Sequence, residues 1–323
     1  MKFIPAFLLS LFFIACSGKS AHRNADATAG STQETAVSLQ TVPLRFEPVA
    51  VPSMITDPGE RAAWAALHYW DRFDFCDTAY LHAPEVTEQA FTDYLDLLNY
   101  VTPETARVSL ADMLSKAEAE KKMYTYFFEL YEKYLYDPNS PVRNEEHFIP
   151  VLQTVLRSPL LDETAKIRPA YLLEQALKNR IGEAAADFSY TLADGRRQTL
   201  YGTKANWLLL YFYNPDCHMC QETTRELSLG LAVERWRSEK GLKILAVYPD
   251  ADLAAWQNHL SAMPTSWING YNEGAVVKEQ EIYDLKAIPT LYLLNKEKKV
   301  VLKDATFAQL EMFLQQADRP EGQ

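Results

Sequence analysis

Residues 207–220 decide the fold of the C-terminal part of this 323-residue chain, and they read WLLLYFYNPDCHMC. Seven apolar residues run without interruption from Trp207 to Tyr213, a length and composition typical of a strand that is buried on both faces. Asn214-Pro215-Asp216 ends the strand, and Cys217-His218-Met219-Cys220 follows at once. A helical pattern comes directly after the second cysteine.

A cysteine pair at the start of a helix has a defined chemistry. The unpaired N–H groups and partial positive charge of the helix N-terminus favour the thiolate of Cys217, the more exposed member. Cys220 lies one turn further on the same side, where it can close a disulfide or resolve a mixed one. Protonated His218 would stabilise the thiolate further, and Asp216 would oppose it. The pattern predicts a redox-active disulfide, Cys217–Cys220, tuned by His218 and Asp216 and needing no other cofactor.

A zinc site is the competing interpretation of C-x-x-C. The chain has four cysteines, and no second pair or closing histidine pair accompanies Cys217 and Cys220. His68, His82 and His147 are far apart and lack the spacing of metal ligands on a helix. We therefore predict no metal site.

Strands and helices alternate around the cysteine pair. The pattern predicts an extended segment from Phe188, a hairpin turn at Asp194-Gly195, helices over 221–240, 251–260, 279–285 and 307–314, and strands over 242–248, 291–294 and 300–302. This order is typical of a small α/β sandwich over residues 181–318.

Residues 181–316 resemble the thioredoxin superfamily, and within it the membrane-tethered TlpA/ResA-like thiol–disulfide oxidoreductases. The resemblance is carried by Asp187-Phe188, Asp194-Gly195, Leu200, Cys217-x-x-Cys220 and Ile288-Pro289-Thr290. It implies a cis peptide bond before Pro289, packed against the disulfide. It also implies that Ile288, Pro289 and Thr290 bind an extended substrate through backbone groups.

Three residues depart from the pattern of these relatives. Asp216 replaces an aromatic or small residue before the first cysteine, and Tyr211 stands where thioredoxins have a buried acid. Arg225 replaces a proline that is common in relatives, which predicts a helix without a kink. These changes leave the fold prediction intact and bear on the rate and direction of electron flow.

The N-terminus predicts export. Residues 1–15 combine Lys2 with an apolar run too short for a stable membrane-spanning helix, which is typical of a signal peptide. Ala15-Cys16 resembles the lipobox of bacterial lipoproteins, so Cys16 is expected to carry the lipid anchor; ordinary cleavage is the alternative. Residues 16–49 are mostly small and polar, and they predict a flexible tether.

Residues 50–178 predict an all-α domain of about five amphipathic helices. Predicted helices start at Asp57-Pro58, Thr87 and Pro103, and others cover 123–136, 141–156 and 161–177. Their aromatic stripes are expected to form the core. Cys76 lies among aromatic residues and is interpreted as a buried, inert thiol; the alternative is a partner for the cysteine pair. Residues 63–98 resemble a bacterial domain of unknown function that commonly precedes thioredoxin-like domains in secreted lipoproteins, and the resemblance is carried by Trp70, Phe73, Phe75 and Asp77-Thr78-Ala79-Tyr80.

The chain has 32 basic and 43 acidic residues, a net charge of −11, so no nucleic-acid partner is expected. The function predicted is a lipid-anchored reductase of protein disulfides in the bacterial cell envelope, facing the periplasm. Electrons would come from a membrane donor resembling the DsbD/CcdA group. The alternatives are a thiol oxidase or isomerase and a redox-inactive binding module. A peroxidase is disfavoured, because Leu210 and Asn214 stand where the peroxiredoxin motif has Pro and Thr.

Overall fold

The computed structural model describes residues 44–318. Cys16, the signal peptide and most of the tether lie outside these residues. An N-terminal all-α half is followed by an α/β half built on one seven-stranded sheet, so the predicted fold class is confirmed. The strands are β1 (Ser189–Leu192), β2 (Arg197–Thr199), β3 (Trp207–Phe212), β4 (Leu242–Tyr248), β5 (Ile268–Tyr271), β6 (Thr290–Leu294) and β7 (Val300–Ala305).

The strand order is β2-β1-β5-β4-β3-β6-β7, which places β3 near the centre. β3, β4 and β5 are parallel, and the remaining pairs are antiparallel. Alternate residues of β3 enter two separate cores: Leu209 and Tyr211 pack in one, Leu208 and Leu210 in the other. Burial on both faces explains the unbroken apolar run, because neither face of this strand meets water.

The helices of the α/β half lie against the two faces of this sheet. They are α7 (His218–Leu229), α8 (Leu231–Arg235), α9 (Leu253–His259), α10 (Val276–Glu279) and α11 (Phe307–Ala317). α7 runs without a kink past Arg225. It ends at Leu229, because Gly230 leaves the helical conformation with φ −62° and ψ 119°, and the helical stretch predicted over 221–240 resumes with α8. A Cβ on Gly230 would lie 3.1 Å from the Phe307 ring of α11.

The N-terminal half contains α1 (Pro58–His68), α2 (Pro84–Leu97), α3 (Pro103–Ala117), α4 (Lys121–Tyr131), α5 (Glu145–Arg157) and α6 (Glu163–Leu177). Its core is aromatic, as predicted: Trp70 contacts Phe46, Phe73, Tyr94 and Phe127 at centroid distances of 5.3–5.5 Å. α5 begins four residues later than predicted, because the Asn144 side chain accepts a hydrogen bond from the His147 N–H and caps the helix.

The prediction of a helix over 279–285 is wrong. α10 ends at Glu279, and Glu281 takes a left-handed conformation with φ 48°. Its carboxylate accepts hydrogen bonds from Tyr171 and Gln175 of α6, at 3.1 and 2.7 Å. The local helical pattern is therefore overridden by contacts with the other half of the protein. β5 was not predicted; it is short, and Gly270 interrupts its apolar pattern to admit the Tyr190 ring.

Asn179 joins the two halves. It is buried, has φ 50°, donates from Nδ2 to the Ile282 carbonyl at 2.9 Å and accepts from the Ala186 N–H at 2.7 Å. Two segments of the α/β half are thus held by one side chain at the end of the helical half. Asparagine suits the position because it tolerates left-handed backbone and carries both a donor and an acceptor.

We expect Asn179→Ala to lower the free energy of unfolding by about 2–4 kcal/mol, because it removes the partner of two part-buried backbone groups and strains a left-handed residue. Asn179→Gly removes the strain but not the loss of hydrogen bonds, so it should be about 1 kcal/mol less damaging than Ala. Urea titration measures both variants. The exposed Asn139→Ala is the control, expected within about 0.5 kcal/mol of wild type; an Asn179→Ala protein as stable as this control contradicts the assignment.

Candidate active site: a cysteine pair at the start of a helix

Cys217 is the N-cap residue of α7. Its backbone is extended, with φ −87° and ψ 114°, and its Sγ accepts a hydrogen bond from the Cys220 N–H at 3.2 Å. This sulfur is the capping group of the helix, so a negative charge on it meets the unpaired N–H groups of the first turn. Among residues 44–318, the Cys220 N–H is the group that donates a hydrogen bond to the Cys217 sulfur.

Cys220 is only 2% exposed, and both cysteines are free thiols in this structure. Its Sγ accepts a long hydrogen bond of 3.5 Å from the Asn214 N–H. Burial, and then the hydrogen bond with Cys217, raise the pKa of the Cys220 thiol well above its usual range. Cys217 is half-buried, so the two sulfurs differ in accessibility: one can be reached from solvent, and the other is covered behind it.

The Ile288–Pro289 peptide bond is cis, as the resemblance implied. The Cys217 thiol donates to the Ile288 carbonyl oxygen, with 3.6 Å between sulfur and oxygen. Thr290 opens β6 opposite Phe212, the last residue of β3, so strand pairing brings this loop beside the cysteine turn. Ile288 and Pro289 are partly exposed. Thr290 is 1% exposed, and its hydroxyl donates to the Ala287 carbonyl. Its side chain therefore stabilises the loop and does not face solvent.

The side chains of His218 and Asp216, which were predicted to influence the Cys217 thiolate, do not contact either sulfur through a hydrogen bond in the described residues. His218 is 80% exposed, and its Nδ1 lies 3.6 Å from Glu222 on the next turn of α7. Asp216 is exposed, and its N–H donates to the Asn214 side chain at 3.0 Å. No hydrogen bond in the described part of the chain joins either side chain to Cys217 or Cys220. Their tuning roles stay predictions.

Two residues near Cys220 were not assigned a role from sequence. Asn214 offers its N–H to the Cys220 sulfur, and its side chain donates to Asp250 at 3.0 Å; Asp250 in turn pairs with Lys278. Tyr211 donates its hydroxyl to the Cys220 carbonyl at 2.7 Å. The sequence pointed to both residues: Asn214 comes directly after the predicted strand, and Tyr211 occupies the position of the buried acid in thioredoxins.

Cys76 is exposed, so its interpretation as a buried thiol is wrong. It follows the buried Phe75 in a short turn, where its N–H donates to the Asp74 carboxylate at 2.9 Å and its side chain faces solvent. Among residues 44–318, no group of three or more His, Cys, Asp and Glu is placed to hold a metal ion. In the same range, no helix combines the length and apolar character needed to cross a membrane.

A two-cysteine turn between a buried strand and a helix, facing a cis-proline loop, defines a thioredoxin-like protein. The comparisons agree with this class. Residues 206–300 match a family model described as thioredoxin-like, and residues 15–179 match a domain of unknown function, DUF5106. The chain belongs to the thioredoxin-like proteins that carry a DUF5106 domain in their N-terminal half.

Solved and curated relatives extend this match. A thioredoxin-like protein from Bacteroides caccae ATCC 43185 is 47% identical; the match covers 85% of this chain and 99% of that one, with a TM-score of 0.81. The C-terminal domain of an uncharacterized protein from Bacteroides fragilis NCTC 9343 is 43% identical over 42% of this chain and 98% of that one, with a TM-score of 0.42. The thiol-disulfide oxidoreductase ResA of Bacillus cereus is 28% identical over 43% of this chain and 79% of its own length.

A brief pulse of iodoacetamide at neutral pH should modify Cys217 and Cys76 in the reduced, folded protein and spare Cys220. The reason is that Cys220 is covered and its thiol stays protonated. Peptide mass mapping identifies the modified residues, and the same pulse in guanidinium, where all sites are accessible, is the control. Equal modification of Cys217 and Cys220 in the folded protein would contradict the division of roles.

Proposed function

We propose that this protein is a thiol–disulfide oxidoreductase that reduces disulfide bonds in protein substrates. The observation that carries the proposal is the Cys217 sulfur, half-exposed at the N-cap of α7, with buried Cys220 behind it and the Ile288 carbonyl 3.6 Å away. The thioredoxin-like fold and the ResA relative support the same chemistry.

The reaction balances as two thiol–disulfide exchanges. The Cys217 thiolate attacks one sulfur of the substrate disulfide, which breaks that bond, forms a mixed disulfide and releases the first substrate thiolate to take up a proton. Cys220 then loses its proton and attacks the Cys217 sulfur, which releases the second substrate thiol. The substrate gains two electrons and two protons, and the protein is left with a Cys217–Cys220 disulfide. A dithiol reductant restores the reduced form.

The surroundings of Cys217 favour the reducing direction. A strong oxidant is one whose reduced form is stabilised, and charged donors to the nucleophilic sulfur do this. Within the described residues the donor to Sγ of Cys217 is a neutral backbone N–H, and His218 turns toward Glu222. No charged side chain of the described residues donates to this sulfur, which supports the reducing direction.

The substrate is expected to lie extended across the cis-proline loop. Ile288 and Pro289 are partly exposed beside Cys217, and the backbone there can pair with a peptide that carries the disulfide. Thr290 would contribute through its backbone, because its side chain is buried.

We also propose that the protein works in the bacterial cell envelope, anchored through an acylated Cys16 and facing the periplasm. The signal-like residues 1–15 and the Ala15-Cys16 pair support this. A membrane dithiol donor of the DsbD/CcdA type would supply the electrons. Incorporation of labelled fatty acid into the wild type but not into Cys16→Ala is the measurement that decides the anchor.

The wild-type protein should reduce insulin disulfides with dithiothreitol as electron source. Cys217→Ser should abolish this activity, since the nucleophile is lost, and Cys220→Ser should accumulate mixed disulfides that non-reducing electrophoresis detects. Cys76→Ser is the matched control and should keep the wild-type rate. Full activity in Cys217→Ser would refute the proposed mechanism and leave a redox-inactive binding module.

The reduction potential of the Cys217–Cys220 pair should lie near or below roughly −220 mV, in the range of reductants. Titration against a glutathione or dithiothreitol buffer, followed by alkylation and mass analysis, gives the value. A potential between about −120 and −180 mV would instead indicate a thiol oxidase or isomerase.

A further inference from the structure

Six charged side chains are buried together where the helical half meets the α/β half, and we call them the interface cluster. Three are cations and three are anions, and each side chain is between 5% and 12% exposed. The members are Arg143 and Glu145 from the helical half, and Asp284, Lys286, Lys303 and Asp304 from the α/β half.

Lys286 is the centre of the interface cluster. Its ammonium pairs with the Glu145 carboxylate, with Asp284 at 3.0 Å and with Asp304 at 3.3 Å. It also lies 4.4 Å from the centre of the Tyr136 ring. Three carboxylates and an aromatic face hold one cation, and the carboxylates raise the pKa of Lys286 despite its burial, so it stays charged.

Glu145 bridges the two lysines of the cluster. One of its oxygens contacts Lys286 and the other lies 2.8 Å from the Lys303 ammonium on β7. Burying such charges is expensive, and an apolar interface of equal size would stabilise the protein as well or better. The ion pairs instead fix the positions of these side chains, because each charge is compensated only where its partner lies.

The cluster lies at the start of the cis-proline loop. Lys286 precedes Ile288 by two residues, and the Ile288 carbonyl is 3.6 Å from the Cys217 sulfur. On the other side, Thr290 is fixed in β6 by its pairing with Phe212. Only Ala287, Ile288 and Pro289 lie between these two anchors, so the position of Lys286 determines where the loop meets the sulfur.

We propose that Glu145 of the helical half positions the cis-proline loop against Cys217 by holding Lys286. The proposal rests on the proposed function, and it gives the DUF5106 half a part in the active site. Glu145 and Lys286 are positioning residues: the loop backbone contacts the sulfur and the substrate. Misplacing that backbone weakens the alignment of an extended substrate disulfide with the Cys217 sulfur.

The sharpest test compares Glu145→Gln with Glu146→Gln in the full chain. The two residues are neighbours in the first turn of α5, both are ion-paired, and the substitution removes the same charge. Glu146 pairs with Arg180 at 2.5 Å, and among the described residues no hydrogen bond or ion pair joins its side chain to the cis-proline loop segment 284–290. Glu145→Gln should lower the second-order rate constant for reduction of a peptide disulfide about ten-fold, and Glu146→Gln should stay within two-fold of wild type.

Two further readouts separate positioning from loss of structure. Reduction of a small aromatic disulfide, which does not extend along the loop, should stay within two-fold of wild type in Glu145→Gln. Amide hydrogen exchange at residues 285–292 should become at least ten-fold faster in that variant and unchanged in Glu146→Gln. If Glu145→Gln does not fold, the paired substitution Glu145→Gln with Lys303→Met also removes the cation that Glu145 pairs with on β7, leaves Lys286 with Asp284 and Asp304, and is measured in the same way.

The outcomes are distinct for the two proposals. Wild-type protein that reduces no disulfide refutes the proposed function, while the exchange rates at 285–292 still decide whether Glu145 positions the loop. Folded Glu145→Gln with wild-type peptide reduction and wild-type exchange refutes the positioning role. Equal losses for the peptide and the small disulfide refute it too, because they would place the effect on the sulfurs rather than on the loop.

Discussion

Burial of β3 on both faces is the constraint from which the position of the cysteine pair follows. No side chain between Leu208 and Phe212 reaches water, so the strand has no room for chemistry along its length. Chemistry is therefore confined to the point where the strand ends and the chain leaves the sheet. The strand ends before Asn214, and α7 with its unpaired N–H groups begins at His218, four residues after Asn214. The same strand pairs with β6 through Phe212 and Thr290, which brings the cis-proline loop to the same end.

The helical half and the α/β half meet through charge rather than through a shared apolar core. Their apolar cores are separate clusters, and the interface cluster of ion pairs lies between them. Glu145 of the helical half pairs with Lys286 and Lys303 of the α/β half, while Lys286 also pairs with Asp284 and Asp304 of its own half. Asn179 and Glu281 add hydrogen bonds across the same boundary. The architecture therefore changes near residues 178–181, and specific ion pairs and hydrogen bonds join the two halves across this boundary.

Sequence reasoning succeeded where the signal is local. The apolar run of β3, the cysteine turn and the helix starts at Pro58 and Pro103 were all predictable from neighbouring residues. It failed where a partner far along the chain decides the outcome. The expected helix over 279–285 is displaced by α6 contacts to Glu281, 106 residues from Gln175 in sequence. The interface cluster was invisible for the same reason, because Glu145 and Lys286 are 141 residues apart and spacing carries no information about their pairing.

The environment of Cys220 orders the two exchange steps in the proposed reaction. Burial and the neighbouring Cys217 both raise the pKa of this thiol, and the Asn214 N–H and Tyr211 hydroxyl oppose them only in part. In the free dithiol, Cys220 therefore keeps its proton and does not compete for substrate. In a mixed disulfide the Cys217 sulfur carries no negative charge, so its contribution to the raised pKa of Cys220 is lost. Cys220 becomes easier to ionise at the moment when its attack is productive. An acid at position 211 would serve as a proton acceptor throughout the cycle; with tyrosine there, the timing rests on the state of Cys217 itself.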